Sequence, residues 1–424
     1  MADVSSKTGA IEDCHAIDSR HSRQTRLHVE AEPLRWQEME ALRYYYQAVR
    51  PALVAYKENV IDPQIHHARY NPQTLICLMA SYNIAQVRKV HLNFTKPGED
   101  PALAGLWAAY HRHTARYIRQ INLWIQQNDP RAFAGIAYLV IMDVELNLSF
   151  WQGHINGYLA LVQHLGGAEA VLSLAYSPIV SFSVILIKSV FHGTTSPPNK
   201  HIRGIDLIQD DTIRALYDAY GNGEMYCPRE TFLTICHINR LRVNVATTTP
   251  TNTDAVARDL FDTLERVDTD SWIREKKWEK RPEVRCLAQI FQVAAGLYGI
   301  VALPQAAVAS WAVSAGHGDG TRLSAYNDVR TLYRLKLIKL LRKICLTLKE
   351  LRQINWPLVV AGVATTADDA GDRDWIAQRL YDTWQQECTQ FPSIICRNKL
   401  RDFWKSGKSA WDDCFDEPVP VCVG

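Results

Sequence analysis

The chain has 424 residues, of which 47% are hydrophobic and 10% aromatic, enough to bury a large core. Its formal net charge of +2 argues against a broad nucleic-acid-binding surface, because such surfaces usually carry a strong excess of basic residues. No apolar run reaches the roughly 18 residues of a membrane span, since Asp143 and Lys188 interrupt the most apolar segments. The first residues lack the pattern of a secretion signal, so we expect a soluble intracellular protein.

Residues 1–32 are polar and lack periodicity, which predicts a disordered leader before a helical domain at residues 33–424. In that domain, apolar residues recur at helical spacing between proline and glycine breaks. The predicted helices are 34–56, 73–88, 101–127, 178–191, 229–245, 252–267, 284–301 and 327–352, together with the central pair described next and two closing helices. No segment alternates as a strand does. We therefore predict an all-α fold, a single large helical array around an apolar cavity.

Residues 136–167 organise the chain as two apolar helices that meet at a polar break. The first is predicted to end near Asn147 and the second to run from Phe150 to Leu165. The glycine pair at 166–167 is a typical helix stop. Asp143 and Asn147 are four residues apart, so they are predicted to share one face of an otherwise apolar helix.

The ten cysteines include no C-x-x-C pair, and most lie inside apolar helical stretches. We expect buried free thiols and no zinc site at ligand spacing.

Three stretches carry a resemblance to a known family. They are Trp151-x-x-His154-x-x-Gly157 followed by Gly166-Gly167, then Phe191-His-Gly-Thr-Thr-Ser-Pro197, and finally Trp356-Pro-Leu-x-x-Ala-Gly362 with Asp372-Arg373-Asp374-Trp375-Ile376. Their order and spacing resemble the fungal-specific transcription factor regulatory domain over roughly residues 35–415. Family members that regulate genes normally carry an N-terminal zinc cluster of six cysteines. The first 76 residues here contain a single cysteine, Cys14, so we expect no such DNA-reading head.

A helical domain without that head is also similar to the atypical humulene synthases of fungal tropolone-sesquiterpenoid pathways. That resemblance implies a lyase of secondary metabolism that binds farnesyl diphosphate with Mg²⁺ and a lysine. Magnesium prefers oxygen ligands, and a carbocation needs a dry, aromatic-lined cavity. The 12 tryptophans, 18 tyrosines and 11 phenylalanines could line it, although core packing explains them equally.

Three acidic clusters could hold the metal, and helix capping is an alternative for each. The first is Asp143 with Asn147. The second, Asn327-Asp328, begins a sequence like the Asn-Asp-x-x-Ser/Thr motif of class I terpene synthases, but Leu335 stands where its final acid is expected. The third is an apparent D-D-x-x-D at 368–372, for which we favour capping.

Lys188 is the candidate for binding and ionising the diphosphate, because its near neighbours are almost all apolar and a buried lysine needs a partner. The alternative is a lysine that extends to the surface. Arg330 and Arg334 could help to clamp the diphosphate.

The sequence thus predicts a magnesium-dependent, cytoplasmic sesquiterpene cyclase that converts farnesyl diphosphate to a humulene-type hydrocarbon. It would contact no nucleic acid directly. The alternative is a nuclear transcriptional regulator that lacks its own zinc-cluster domain.

Overall fold

A computed structural model describes residues 72–90, 100–146, 148, 150–174, 176–220, 225–245, 250–318, 321–348, 351–386 and 391–421. The predicted leader at 1–32, the predicted helix at 34–56 and the site residue Asn147 lie outside the described residues.

All regular secondary structure in these ranges is helical, which confirms the all-α prediction. The seventeen α-helices are α1 (Pro72–Val90), α2 (Ala104–Gln126), α3 (Arg131–Glu145), α4 (Trp151–His164), α5 (Ala168–Leu172), α6 (Tyr176–Thr194), α7 (Asp210–Tyr220), α8 (Arg229–Asn244), α9 (Pro250–Glu265), α10 (Thr269–Glu275), α11 (Pro282–Ala302), α12 (Gln305–Ser314), α13 (Arg322–Ile344), α14 (Asn355–Ala364), α15 (Ala370–Gln385), α16 (Phe391–Ser406) and α17 (Trp411–Cys414).

The predicted central pair is α3 and α4, and the polar break between them lies where the sequence indicated. Gly166 and Gly167 have φ values of 101° and 99°, in the left-handed region that glycine enters without strain. The backbone N–H of Gly167 donates to the carbonyl of Val162 and so satisfies one of the last carbonyls of α4.

The core contains two helices that are buried on nearly every side, α11 and α14. Every residue of α14 is buried, and α11 begins with Pro282 at its first turn, where a missing N–H costs nothing. By length and composition, α11 is the one described helix that could cross a membrane, and 83% of its apolar window is buried inside the fold. Burial among the other helices accounts for its apolar sequence.

Aromatic rings fill the space where α6, α11 and α14 meet. Phe191 packs edge-on against Trp356 at 5.0 Å between centroids, and Phe291 stacks on the same indole at 6.1 Å. Tyr298 completes the group at 6.0 Å from Trp356. These rings form a packed core.

All seven cysteines in the described residues are free, and six of them are buried. This confirms the thiol prediction for those positions.

Candidate functional site

Asp143 is buried on α3, and two protein groups lie beside its carboxylate. The Tyr110 hydroxyl lies 3.5 Å from Oδ1, and the Nε2 atom of His154 lies 3.2 Å from Oδ2. His154 comes from α4 and belongs to the first stretch that carries the family resemblance. The contact therefore ties the two central helices together across their polar break.

Lys188 lies half-buried on α6, close enough to Glu145 on α3 for its charge to favour ionisation of that carboxyl. Burial nevertheless raises the pKa of Glu145 to about 7, against the opposing effect of Lys188 and Arg352. The Oε2 atom of Glu145 is shielded from solvent and has no hydrogen-bond partner among the described residues. The structure thus gives Lys188 an acidic neighbour within the fold.

His192 lies one turn after Lys188 on α6 and is fully buried. Its Nδ1 accepts a hydrogen bond of 3.1 Å from the backbone N–H of Val421, and its ring contacts Trp151 edge-on. Burial, with a contribution from the Lys188 charge, holds the pKa of His192 well below its ordinary value. His192 is therefore neutral and joins α6 to the C-terminal segment.

The second predicted group lies on α13, and its residues differ in their exposure to solvent. Asn327 and Asp328 are exposed, and the Ser324 hydroxyl lies 3.4 Å from Asp328 Oδ2. Arg330 points to the C-terminal end of α14, where its Nη2 donates to the carbonyls of Val363 and Ala364 at 3.4 Å each. A cation at this end satisfies terminal carbonyls and the helix dipole.

Arg334 is buried and contacts Asp369 at 2.5 Å. Asp372 lies between Arg334 and Arg342, at 3.8 Å and 2.9 Å. Asp369 also accepts from the backbone N–H and hydroxyl of Thr366 in a capping box. Although burial opposes its ionisation, these hydrogen bonds and the Arg334 charge hold the pKa of Asp369 below its ordinary value. In the apparent D-D-x-x-D, Asp369 and Asp372 therefore pair with arginines, and Asp369 also caps a helix.

No group of three His, Cys, Asp or Glu residues in the described ranges could together hold a metal ion. The structure brings Asp143 near Tyr110 and His154, Lys188 near Glu145, and Arg334 near Asp369. The diphosphate and magnesium roles assigned to these residues, and to Asn147, Asn327, Asp328 and Arg330, are untested and stay predictions.

The stretch Phe191–Pro197 contains the end of α6 and its contacts with other helices. The sequence predicted that a helix ends here but gave no partners for its last carbonyls. The buried Arg242 of α8 donates to the carbonyls of Gly193, Thr194 and Ser196 at 3.3, 3.2 and 2.8 Å. The indole N–H of Trp411 also donates to the Thr194 carbonyl at 2.6 Å. These donors satisfy carbonyls that the end of a helix leaves unpaired.

The last resemblance stretch forms a second joint, between α14 and α16. The Trp404 indole donates to the carbonyl of Gly362 at 2.9 Å. A Cβ atom at Gly362 would lie 2.7 Å from Leu400 Cδ1, so the two helices approach too closely for a side chain. Arg373 donates to the carbonyl of Thr365 and lies over the Trp404 ring.

Two of the cavities among the described residues open at the surface. One, of about 360 Å³, lies among α8, α9 and α10, and its lining includes both arginines and acids. The other, of about 500 Å³, lies between α15 and α16. Its lining is Ala370, Arg373, Asp374, Ala377, Gln378, Arg397, Arg401, Trp404 and Lys405. Neither has the apolar lining expected of a cavity for a carbocation.

The chain is similar to the phomenoic acid biosynthesis cluster-specific transcriptional regulator of Leptosphaeria maculans. The two are 22% identical over 339 residues, which cover 76% of this chain and 61% of the regulator. The chain thus spans about three fifths of that relative's length. No protein-family model matches the chain, and no solved structure matches it significantly.

This similarity supports a relationship to the fungal transcription-factor-like family, and it gives no support to the humulene synthases in particular. The predicted cyclase function is wrong on this finding, because the matching protein is a transcriptional regulator. The alternative prediction, a transcriptional regulator, is the better supported of the two. The magnesium requirement was inferred from the cyclase function and is untested.

Proposed function

We propose that the chain is the helical regulatory domain of a fungal transcriptional regulator that controls the genes of a biosynthetic cluster. The observation that carries the proposal is the similarity to the Leptosphaeria maculans regulator across 76% of this chain. Because the match covers most of the chain, the similarity extends over most of the helical domain and is not limited to one short motif.

The positions of the resemblance residues support the same relationship. His154, Thr194, Gly362 and Asp372 each form or border a joint between helices. Such residues maintain the packing of an array, so a likeness at these positions indicates a shared helical domain.

Under this proposal the protein acts in the nucleus. Its formal net charge of +2 favours contact with DNA through a partner protein over a broad basic surface of its own.

Deletion of the gene in the source fungus, followed by transcript sequencing, tests the proposal. We expect transcripts of a set of neighbouring biosynthetic genes to fall together, and reintroduction of the wild-type gene to restore them. A tagged chain should enter the nucleus and be recovered with the promoters of those genes by chromatin immunoprecipitation. Unchanged transcripts together with a protein absent from the nucleus would contradict the proposal.

Two complementing variants make this experiment specific. Arg274→Met changes an exposed residue that lies 3.9 Å from Asp268, and it should restore transcription. Arg242→Met removes the donors at the end of α6 and should fail to restore it, with a lower protein level on immunoblots. Fusion of the full chain to an unrelated DNA-binding domain would then show whether it activates a reporter by itself.

A further inference from the structure

The cavity between α15 and α16, named here the α15/α16 groove, is lined by one face of each helix. From α15 the lining residues recur at intervals of three and four, from Ala370 to Gln378. From α16 they are Arg397, Arg401, Trp404 and Lys405, which share the same spacing. The groove therefore lies along two rigid helices, which hold its side chains in place.

Four of the groove residues are cationic, Arg373, Arg397, Arg401 and Lys405, and a single one, Asp374, is acidic. Three of the cations stand at four-residue intervals on α16. Like charges at this spacing destabilise a helix by about 0.2–0.5 kcal/mol per pair. A bound anion would relieve that repulsion.

Cations on the same two helices outside the groove have nearby acids. Arg379 contacts Asp382 at 2.8 Å, and Lys399 contacts Asp416 at 2.8 Å. Of the groove cations on α16, Lys405 lies 3.7 Å from Asp402. Within the described ranges, by contrast, no carboxylate lies within ion-pair distance of Arg397 or Arg401. The two arginines that α16 contributes to the groove thus have no ion-pair partner in the described part of the chain.

Aromatic rings hold two of the groove guanidinium groups. The Cζ atom of Arg373 lies 5.5 Å from the Trp404 ring centroid, and that of Arg397 lies 5.5 Å from the Tyr381 ring centroid. The Nε atoms of both arginines are buried without a hydrogen-bond partner in the described part of the chain. Burial lowers the pKa of both groups, as expected for a positive charge that lacks a full set of partners.

We propose that the α15/α16 groove binds a small organic anion that carries two or more phosphate or carboxylate groups. Guanidinium groups bind both kinds of oxyanion through paired hydrogen bonds. The volume of about 500 Å³ lies within the usual range for small-molecule sites. Trp404 offers an aromatic surface to the rest of the molecule. The unpaired arginines of α16 lie in one cavity of limited size, which favours a small anion over a nucleic acid or an extended acidic peptide.

Isothermal titration calorimetry on the purified full chain, at constant ionic strength, tests this site. Citrate and inorganic pyrophosphate are the two probes, and acetate is the comparison with a single charge. We expect saturable binding of one probe at a stoichiometry of one, with acetate much weaker. The citrate and pyrophosphate arms distinguish carboxylate ligands from phosphate ligands.

Three variants locate the binding. Arg401→Gln removes an exposed groove cation and should weaken binding about fivefold. Asp374→Asn removes the groove acid and should strengthen binding roughly twofold or more, which a change in folding alone would not produce. Lys339→Gln, on an exposed position of α13 outside the groove, should leave binding unchanged.

Binding that is absent for both probes, or that is the same in all three variants, would overturn the inference. A hexaglutamate peptide that binds more than tenfold tighter than either probe would also overturn it, in favour of an acidic protein partner. The site is independent of the proposed regulatory function, because its test measures binding alone.

Discussion

Arg242→Met tests whether the end of α6 is held by a single buried guanidinium group. Arg242 is buried and is shared by three carbonyls of the Gly193–Ser196 turn, by the hydroxyl of Tyr298 and by the carboxylate of Asp412. Methionine keeps much of the side chain's length but donates no hydrogen bond.

The expected loss in the free energy of unfolding depends on which groups lose a hydrogen-bond donor. An unpaired buried carbonyl costs about 1–3 kcal/mol. Loss of one partner from a buried ionic network costs about 3–5 kcal/mol. The Thr194 carbonyl keeps its bond from Trp411, and the Asp412 side chain is 48% exposed and can turn to water. We therefore expect Arg242→Met to lower the free energy of unfolding by about 3 kcal/mol.

Urea unfolding of the purified chain, followed by circular dichroism and by tryptophan fluorescence, measures this change. Two probes are needed, because a chain of this length can unfold in more than one step. Arg274→Met is the matched control and should change the stability by less than about 0.5 kcal/mol. Asp412→Asn tests the ionic contribution alone and should cost about 1 kcal/mol or less. If Arg242→Met costs no more than Asp412→Asn, the carbonyls do not depend on the guanidinium group.

Gly362→Ala should destabilise the fold by about 1–3 kcal/mol, because its Cβ would lie 2.7 Å from the buried Leu400 side chain. A Cβ atom at Gly157 meets nothing within 4 Å, so Gly157→Ala should stabilise α4 by about 0.5–1 kcal/mol. A lower urea midpoint for Gly157→Ala, or an unchanged or higher one for Gly362→Ala, would contradict the corresponding expectation. Burial raises the pKa of Glu145 from an ordinary value of 4.5 to about 7, so the folded state keeps a proton that the unfolded chain releases between these pH values. Stability should therefore be lost as the pH rises through this window, and Glu145→Gln should remove up to about 3 kcal/mol of that loss. Melting temperatures measured from pH 5 to 8 test this expectation. If they change with pH in the same way for wild type and variant, Glu145 ionises freely in the fold.

Helix positions were predicted well where local signals mark both ends. Proline at the first turn and glycine after the last turn located the start of α11 and the end of α4. α14 was not predicted, because a stretch buried on every side is uniformly apolar and shows no helical period. The helix predicted to reach residue 352 ends at Ile344, where Arg342 and Lys343 stand in its last turn. Basic residues at that place are a stop signal that was available in the sequence.

At the candidate site, the sequence identified a charged residue that needs a partner but did not identify the partner. The sequence identified Lys188 as a lysine in an apolar helix and assigned its charge to a diphosphate. The structure places Glu145 near it, on α3, which two helices separate from α6 in the chain. Glu145 stands two positions after Asp143 and so on a different face of α3, and the predicted site, built on the face of Asp143, does not include it. Contacts between helices depend on packing angles that residue spacing within one helix does not specify.

The same limit explains why the resemblance could indicate a fold and yet suggest the wrong activity. Gly362 and Asp372 belong to the resemblance stretches and serve helix joints, which any protein with this array needs whatever its function. Arg397, Arg401 and Lys405 lie outside those stretches, and Arg401 and Lys405 are exposed, so packing of α16 does not require their charge. Their mutual repulsion costs helix stability, and Asp374 is the single acid among the groove residues. A function specific to this chain is therefore better sought in the α15/α16 groove than at the joints.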